Sequence, residues 1–360
     1  MKRSILVLVL SAALLSVTPQ VWAQAEFDAM SPKTDKADAL ALPLHTVTVA
    51  TNSLEESLHF YRDSLGMTAE GPIDVDDEVL QTQRLLWGLE TDEAWDLYLL
   101  TRPGAEVAQI RLLVMHKTQP AIHKSWNSME LGTFSMGFPN NGQVQRDLDM
   151  RRAGYGALNP IEIYDVPRTD GVMYEIQETI YNGPDFVHAV GIHRAGGMPQ
   201  LGDLDAQGLG GPAYSAQVIE DSDAVLGFYT DVLGMELRSD RTWKSAGTDG
   251  AMNLPDGTVF RFSIVFAKGY PPGGHLLFVD FENIEAIDTG VPSRLPNRGI
   301  GLWSFSTEKL DRILENAANT NTPVIHGPVT YDSPTQGKVR VATLLAPNNF
   351  VVEVFEQVED

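Results

Sequence analysis

The octapeptide Phe60-Tyr61-Arg62-Asp63-Ser64-Leu65-Gly66-Met67 returns 168 residues later as Phe228-Tyr229-Thr230-Asp231-Val232-Leu233-Gly234-Met235, with six of eight positions identical. A chain with such a copy is built from repeated units, and that constraint precedes any local assignment. Upstream of the first copy, the segment from Leu44 to Met67 reads as strand, cap, helix and stop. Val47 and Val49 alternate with Thr46 and Thr48, giving a strand with one β-branched apolar face. Ser53 is positioned as an N-cap, with Glu56 completing a capping box. Leu54, Leu58, Tyr61 and Leu65 fall on one helical stripe, and Gly66 supplies a left-handed stop. The second copy repeats the pattern, from Asp221 as N-cap through Leu226, Tyr229 and Leu233 to Gly234.

Four units follow from strand and turn signals. The first runs from His45 to about His116, with strands at 94–100 and 109–114 split by Pro103-Gly104. Its long polar segment 71–93 is a candidate substrate lid. The second begins near Gly132, with a strand at 134–138, a helix through Val144 and Leu148, and a strand at 161–166. Asp170-Gly171 then marks a tight turn into a strand at 172–177, taken as the last of that unit. Residues 183–212 are rich in glycine and proline and read as a linker. The third unit carries strands at 259–266 and 275–281. The fourth starts at Gly301 and ends on the apolar strand 350–355.

Composition narrows the setting. The chain has 360 residues and 43% hydrophobic content, enough for two domains with their own cores. Lys2, Arg3, the apolar run Ile5–Leu15 and Val21-Trp22-Ala23 form the pattern of a cleavable signal over residues 1–25, implying a periplasmic or secreted protein. No other stretch is long and apolar enough for a membrane helix. The absence of cysteine excludes disulfides, thiolate metal sites, a cysteine nucleophile and lipoprotein acylation. Without Lys2 and Arg3 the chain has 24 basic and 48 acidic residues, a net charge of −24. That excess argues against nucleic acid or an anionic membrane as partner.

The strand, the Phe-Tyr-x-Asp-x-Leu-Gly-Met helix end and its repetition resemble the vicinal oxygen chelate superfamily of glyoxalases, bleomycin-resistance proteins and extradiol dioxygenases. The resemblance extends over residues 42–358. It implies an α+β fold of two tandem domains, 42–182 and 213–358, each of paired βαβββ modules forming a cup-shaped sheet. Residues 26–41 would be a flexible lead-in and 183–212 the link between domains.

The resemblance also implies where chemistry would sit, because the family's metal ligands project from first and last strands of paired modules. His45 occupies the first-strand position and Glu175 the last-strand one, making both candidate catalytic residues and metal ligands. The implied metal is iron, manganese, zinc or nickel. Ser135 stands where a second histidine is usual, and Arg111 where some members have glutamate. Arginine has donors and no acceptor, so it is not a metal ligand. Arg111 is instead a candidate for neutralising an anionic substrate, or for pairing with Glu175 in place of any metal. His45 is equally readable as a half-buried structural histidine. Ser135, Tyr98, Met173 and Gln177 are the expected substrate-contacting residues. The second-half equivalents are Tyr214, Phe278, Leu302 and Glu353, of which only Glu353 has ligand character. That half is expected to be metal-free, a scaffold or a second, apolar pocket, with Glu353 facing solvent.

Two functions remain open. One is a metal-dependent glyoxalase-, lyase- or dioxygenase-type enzyme acting on a small oxygenated molecule. The other is a metal-free protein, either a small-molecule binder of the bleomycin-resistance kind or an enzyme using His45 as a general base. A scaffold whose cups are filled by side chains is the third, plainer reading. The partner is a small molecule in the first two, and a homodimer of whole chains is compatible with all three.

Overall fold

A computed structural model describes residues 32–105, 108–167, 173–245, 247, 250 and 252–358. The signal segment 1–25 and the Asp170-Gly171 turn lie outside them.

The repeated octapeptides build the same device twice. Helix α1 (Leu54–Leu58, continued by His59–Ser64) starts where Ser53 Oγ accepts the Glu56 N–H at 3.3 Å. The other half of the capping box does not form, because the Ser53 N–H donates to Thr51 Oγ1 at 3.1 Å. The last turn widens, and the Leu65 N–H reaches back to the Phe60 carbonyl at 2.8 Å. In the second copy Asp221 caps at 3.0 Å, and the Leu233 N–H reaches the Phe228 carbonyl at 3.3 Å. Gly66 and Gly234 close the two turns at φ +74° and +64°, a conformation that disfavours a side chain.

The first module contains β1 (Ala41–Thr51), α1, β2 (Thr68–Ile73), α2 (Asp77–Trp87), β3 (Trp95–Thr101) and β4 (Gln109–Met115). The second contains β5 (Gly132–Asn140), α3 (Gln143–Arg152), β6 (Glu162–Pro167), β7 (Met173–Asn182) and β8 (His188–Arg194). The third contains β9 (Tyr214–Ile219), α4 (Ser222–Gly227, continued by Phe228–Val232), β10 (Glu236–Lys244), β11 (Val259–Phe266) and β12 (His275–Phe281). The fourth contains β13 (Gly299–Thr307), α5 (Leu310–Asn319), β14 (Val324–Ser333), β15 (Gly337–Leu345) and β16 (Val351–Gln357).

The sheets join modules across the chain. One has strand order β14-β15-β16-β13-β1-β4-β3-β2, the other β10-β11-β12-β9-β5-β8-β7-β6. The α+β tandem fold therefore stands, but the first module shares its sheet with the fourth, and the second with the third. Antiparallel pairing of first strands makes both joins, β1 with β13 and β5 with β9. Segment 42–182 supplies four strands of the first sheet and three of the second, 213–358 supplies four of each, and β8 comes from the stretch between them. Two further expectations change. Residues 183–212 contain β8, the true last strand of the second module. The described part of the lead-in is also tied down: the Lys33 N–H donates to Glu236 Oε1 at 3.1 Å, and the Ala41 N–H to the Leu233 carbonyl at 3.0 Å.

One large apolar cluster joins the helix-facing sides of both sheets, with Val47, Phe60, Tyr61 and Leu65 from the first copy and Tyr229, Leu233, Trp303 and Phe305 from the other end. Trp303 Nε1 donates to Ser215 Oγ at 3.0 Å, linking the two sheets. The opposite faces are lined by separate clusters, one in the first sheet and two in the second.

The stop glycines differ in what surrounds them. A Cβ on Gly66 would lie 3.3 Å from the flexible end of Arg102, whereas one on Gly234 would lie 2.7 Å from Leu40 Cγ. Gly66→Ala should lower unfolding free energy by about 1–2 kcal/mol, the cost of a left-handed side chain. Gly234→Ala should cost more. Urea denaturation of both variants checks the order.

Candidate functional site

Strand irregularity places the first side chain. Between Leu44 and Thr46, β1 advances two residues while β13 advances one, from Phe305 to Ser304. His45 is the extra residue of this bulge, and bulges re-aim side chains. Its ring rests edge-on against Phe355, a member of the cup-side cluster, at 5.0 Å between centroids. Its Nδ1 lies 2.8 Å from Thr46 Oγ1, which also accepts from Gln109 Nε2 at 3.2 Å.

The centre of the cup is an ion pair between β4 and β16. Arg111 Nη2 donates to Glu353 Oε1 at 3.1 Å, and both side chains are fully buried. Ser304 Oγ donates to the same oxygen at 2.8 Å, Gln336 Nε2 at 3.3 Å, and Trp87 Nε1 donates to Oε2 at 2.9 Å. The Arg111 guanidinium also sits over the Trp87 ring, 5.3 Å from its centroid. Trp87 ends α2, so the segment read as a lid forms a helix whose last turn inserts into the cup. The Leu86 carbonyl accepts from Thr343 Oγ1, and Gln83 is buried on the same helix.

Electrostatics follow from this enclosure. Burial alone would raise the Glu353 carboxyl, but Arg111 and the hydrogen bonds from Trp87 and Ser304 outweigh it and hold the group below its ordinary value. Burial, reinforced by Arg111 and opposed by Glu353, lowers His45 to about 4. His45 is therefore neutral at pH 7.

The other expected residues lie elsewhere. Glu175 is on β7, the third strand of its module and part of the second sheet, and it accepts from Gln177 Nε2 at 2.6 Å. Its neighbours Tyr174 and Ile176 face the cup-side cluster of that sheet, so Glu175 and Gln177 face away from it, and Met173 is exposed. The Arg111–Glu175 pair is thus corrected to Arg111–Glu353, and His45 and Glu175 do not share a site. Ser135 lies on β5 of the second sheet, its carbonyl accepting from Ser215 Oγ at 2.9 Å. Tyr98 packs on the helix side of β3, while Trp95 and Leu97 face the cup. Glu353, expected at the surface, is the buried anion. Sequence reasoning missed Trp87, Ser304 and Gln336. One signal was present, the carboxylate inside Val351-Val352-Glu353-Val354-Phe355, since an anion in such a strand needs partners.

The residues of this cup do not fit a divalent metal. Glu353 spends both oxygens on four donors, and the group beside it is a guanidinium. Among the described residues no cluster of three or more histidines and carboxylates is placed to hold a metal.

Residues 212–342 match the family model of the Glyoxalase/Bleomycin resistance protein/Dioxygenase superfamily. No curated protein matches the sequence. By fold, the chain is similar to a variant of glyoxalase I from Zea mays, with TM-score 0.57 and 12% identity over 87% of this chain and 92% of that one. A second variant gives TM-score 0.57 and 12% identity over 89% and 95%. Glyoxalase I from Zea mays itself gives 0.56 and 11% over 87% and 92%.

Two outcomes follow from the buried pair and its neighbour. Arg111→Met or Glu353→Leu alone should cost about 3–5 kcal/mol, because each strands an opposite charge, and the double variant should cost less than either. Denaturant titration of the three measures this. For His45, the unfolded chain binds a proton near its ordinary value of 6.5 and the folded chain only near 4, so its contribution is present above pH 6.5 and lost as pH falls toward 4. His45→Phe should flatten that part of the stability–pH curve.

Proposed function

We infer, for a chain whose residues 212–342 belong to the glyoxalase/bleomycin resistance protein/dioxygenase superfamily, that the cup of the first sheet binds a small oxygen-bearing molecule through Arg111 rather than through a metal. The observation that carries this reading is the state of the guanidinium. It is fully buried and anchored by Glu353 and Trp87, yet its Nε and Nη1 have no hydrogen-bond partner among the described residues. Thr48 Oγ1, on the neighbouring strand in register with Arg111, has none either. Unpaired buried donors cost about 1–3 kcal/mol each, and a ligand carboxylate or carbonyl oxygen would remove that cost.

Each residue then has a binding role. Arg111 supplies directional donors, and its fork geometry matches a carboxylate. Glu353 fixes the guanidinium plane and balances its charge. Trp87 covers one face and excludes water. His45 is neutral and offers its ring at the rim. Helix α2 lies across the cup, so a ligand enters past it. The exported location is part of the same proposal and rests on the signal-like residues 1–25.

Ligand-observed NMR with small mono- and dicarboxylates and catechols, on protein stripped with chelator, tests the reading. Binding should persist without metal and disappear in Arg111→Lys, which keeps the charge and loses the fork. Binding that requires a stoichiometric divalent metal, and is lost with that metal in His45→Ala, would overturn it.

A further inference from the structure

The second sheet has a cup of its own, with different chemistry. At the β5–β9 join the extra residue is Phe134, because Thr133 and Ser135 face the consecutive residues Gln217 and Ala216. Register for register this bulge matches the one at Gly301 in the first sheet, where Ile300 and Leu302 face the consecutive residues Val49 and Thr48, so an aromatic stands where the first sheet has a glycine. Around it the cup face carries Ala216, Val218, Leu254, Phe260 and Val279 on one side and Ile176, Val190 and Tyr214 on the other, with His275 buried against Tyr214.

A cavity of about 420 Å³ opens over this face, lined by Trp126, Met129, Leu158, Met252 and Pro255 together with short polar residues. Met252 packs against both apolar clusters, Met129 against one and Leu158 against the other, so the cavity floor is continuous with the cup. Its volume falls in the range that holds a small ligand.

The wall is rigidly made. Trp126 is 44% exposed, yet its Nε1 donates to the Gly183 carbonyl at 3.1 Å and its ring meets Phe186 edge-on at 5.2 Å. Glu130 holds the 124–130 turn, accepting from the Lys124 N–H at 2.8 Å and from Ser125 Oγ at 2.6 Å. Two further polar lining groups are engaged within the protein: Ser128 Oγ donates to the Met252 carbonyl at 2.5 Å, and Asn127 Oδ1 accepts from the Met129 N–H at 3.0 Å. Among the described residues no charged side chain lines the cavity. On the same sheet His188 shares the face of Val190 and Ile192, packs against Phe134 at 6.1 Å, and is 1% exposed, its Nδ1 without a partner among the described residues.

We propose that this cavity is a second small-molecule site, distinct from the Arg111 cup, for an uncharged flat aromatic ligand. A half-exposed indole, two polarisable methionines and a proline suit a π face. The lack of a lining charge, in a chain of net charge −22, selects against anions.

Fluorescence titration of the full chain with the neutral probe N-phenyl-1-naphthylamine tests the proposal, beside the related sulfonate 8-anilinonaphthalene-1-sulfonate. The neutral probe should bind saturably, one per chain, and at least tenfold more tightly than the sulfonate. Met252→Glu should weaken it at least tenfold and Trp126→Ala severalfold, while His45→Phe in the other cup leaves it unchanged. Trp126 is at the surface, so that variant reports on the site even where Met252→Glu unfolds the chain. Non-saturable binding, equal affinity in wild type and Trp126→Ala, loss in His45→Phe, or sulfonate binding as tight as the neutral probe would each overturn it.

Discussion

A carboxylate with no exposure to water sits at the centre of the first cup, and the surrounding structure satisfies it. Glu353 takes donors from four different segments: Arg111 on β4, Ser304 on β13, Gln336 before β15 and Trp87 at the end of α2. Desolvating a carboxylate costs several kcal/mol unless it is paired and hydrogen-bonded. The β1–β13 join and the docking of α2 are therefore coupled to one anion. Its loss would release the helix that covers the cup as well as the arginine inside it.

The same pair decides what the cup can do. Side chains from separate strands converge there, as expected of this fold, but the convergent group is a cation with donors. A guanidinium polarises an oxygen by hydrogen bonding and charge, with no open coordination position. The second cup carries a different set: apolar side chains gather around Phe134, and its buried His188 and His275 pack against aromatic rings. One architecture thus presents two unlike interiors, and the fold alone does not specify chemistry.

Local features were legible. Ser53 and Asp221 cap their helices, Gly66 and Gly234 stop them, and the repeated octapeptide predicts two equivalent turns. His45 was singled out from its strand position, and the structure sets it in a bulge of β1 against the cup-side Phe355. Glu175 was misplaced because only two strands were read after α3, so β7 was taken for the last strand and β8 for linker. The Gly- and Pro-rich flanks of β8 masked it, although Val190 and Ile192 alternate as in a strand. Tyr98 was expected to contact substrate, but the alternation of β3 turns Trp95 and Leu97 inward.

By itself the sequence determined the modules, their caps and stops, and the superfamily resemblance, because these depend on hydrogen bonds and periodicities within a few residues. Only the tertiary structure decided which modules share a sheet. Each first strand carries a similar apolar pattern, so nothing local says whether β1 meets β5 or β13. Pairing β1 with β13 brings Arg111 to Glu353 across 242 residues and leaves Glu175 on the other sheet. The contents of each cup follow from that long-range pairing.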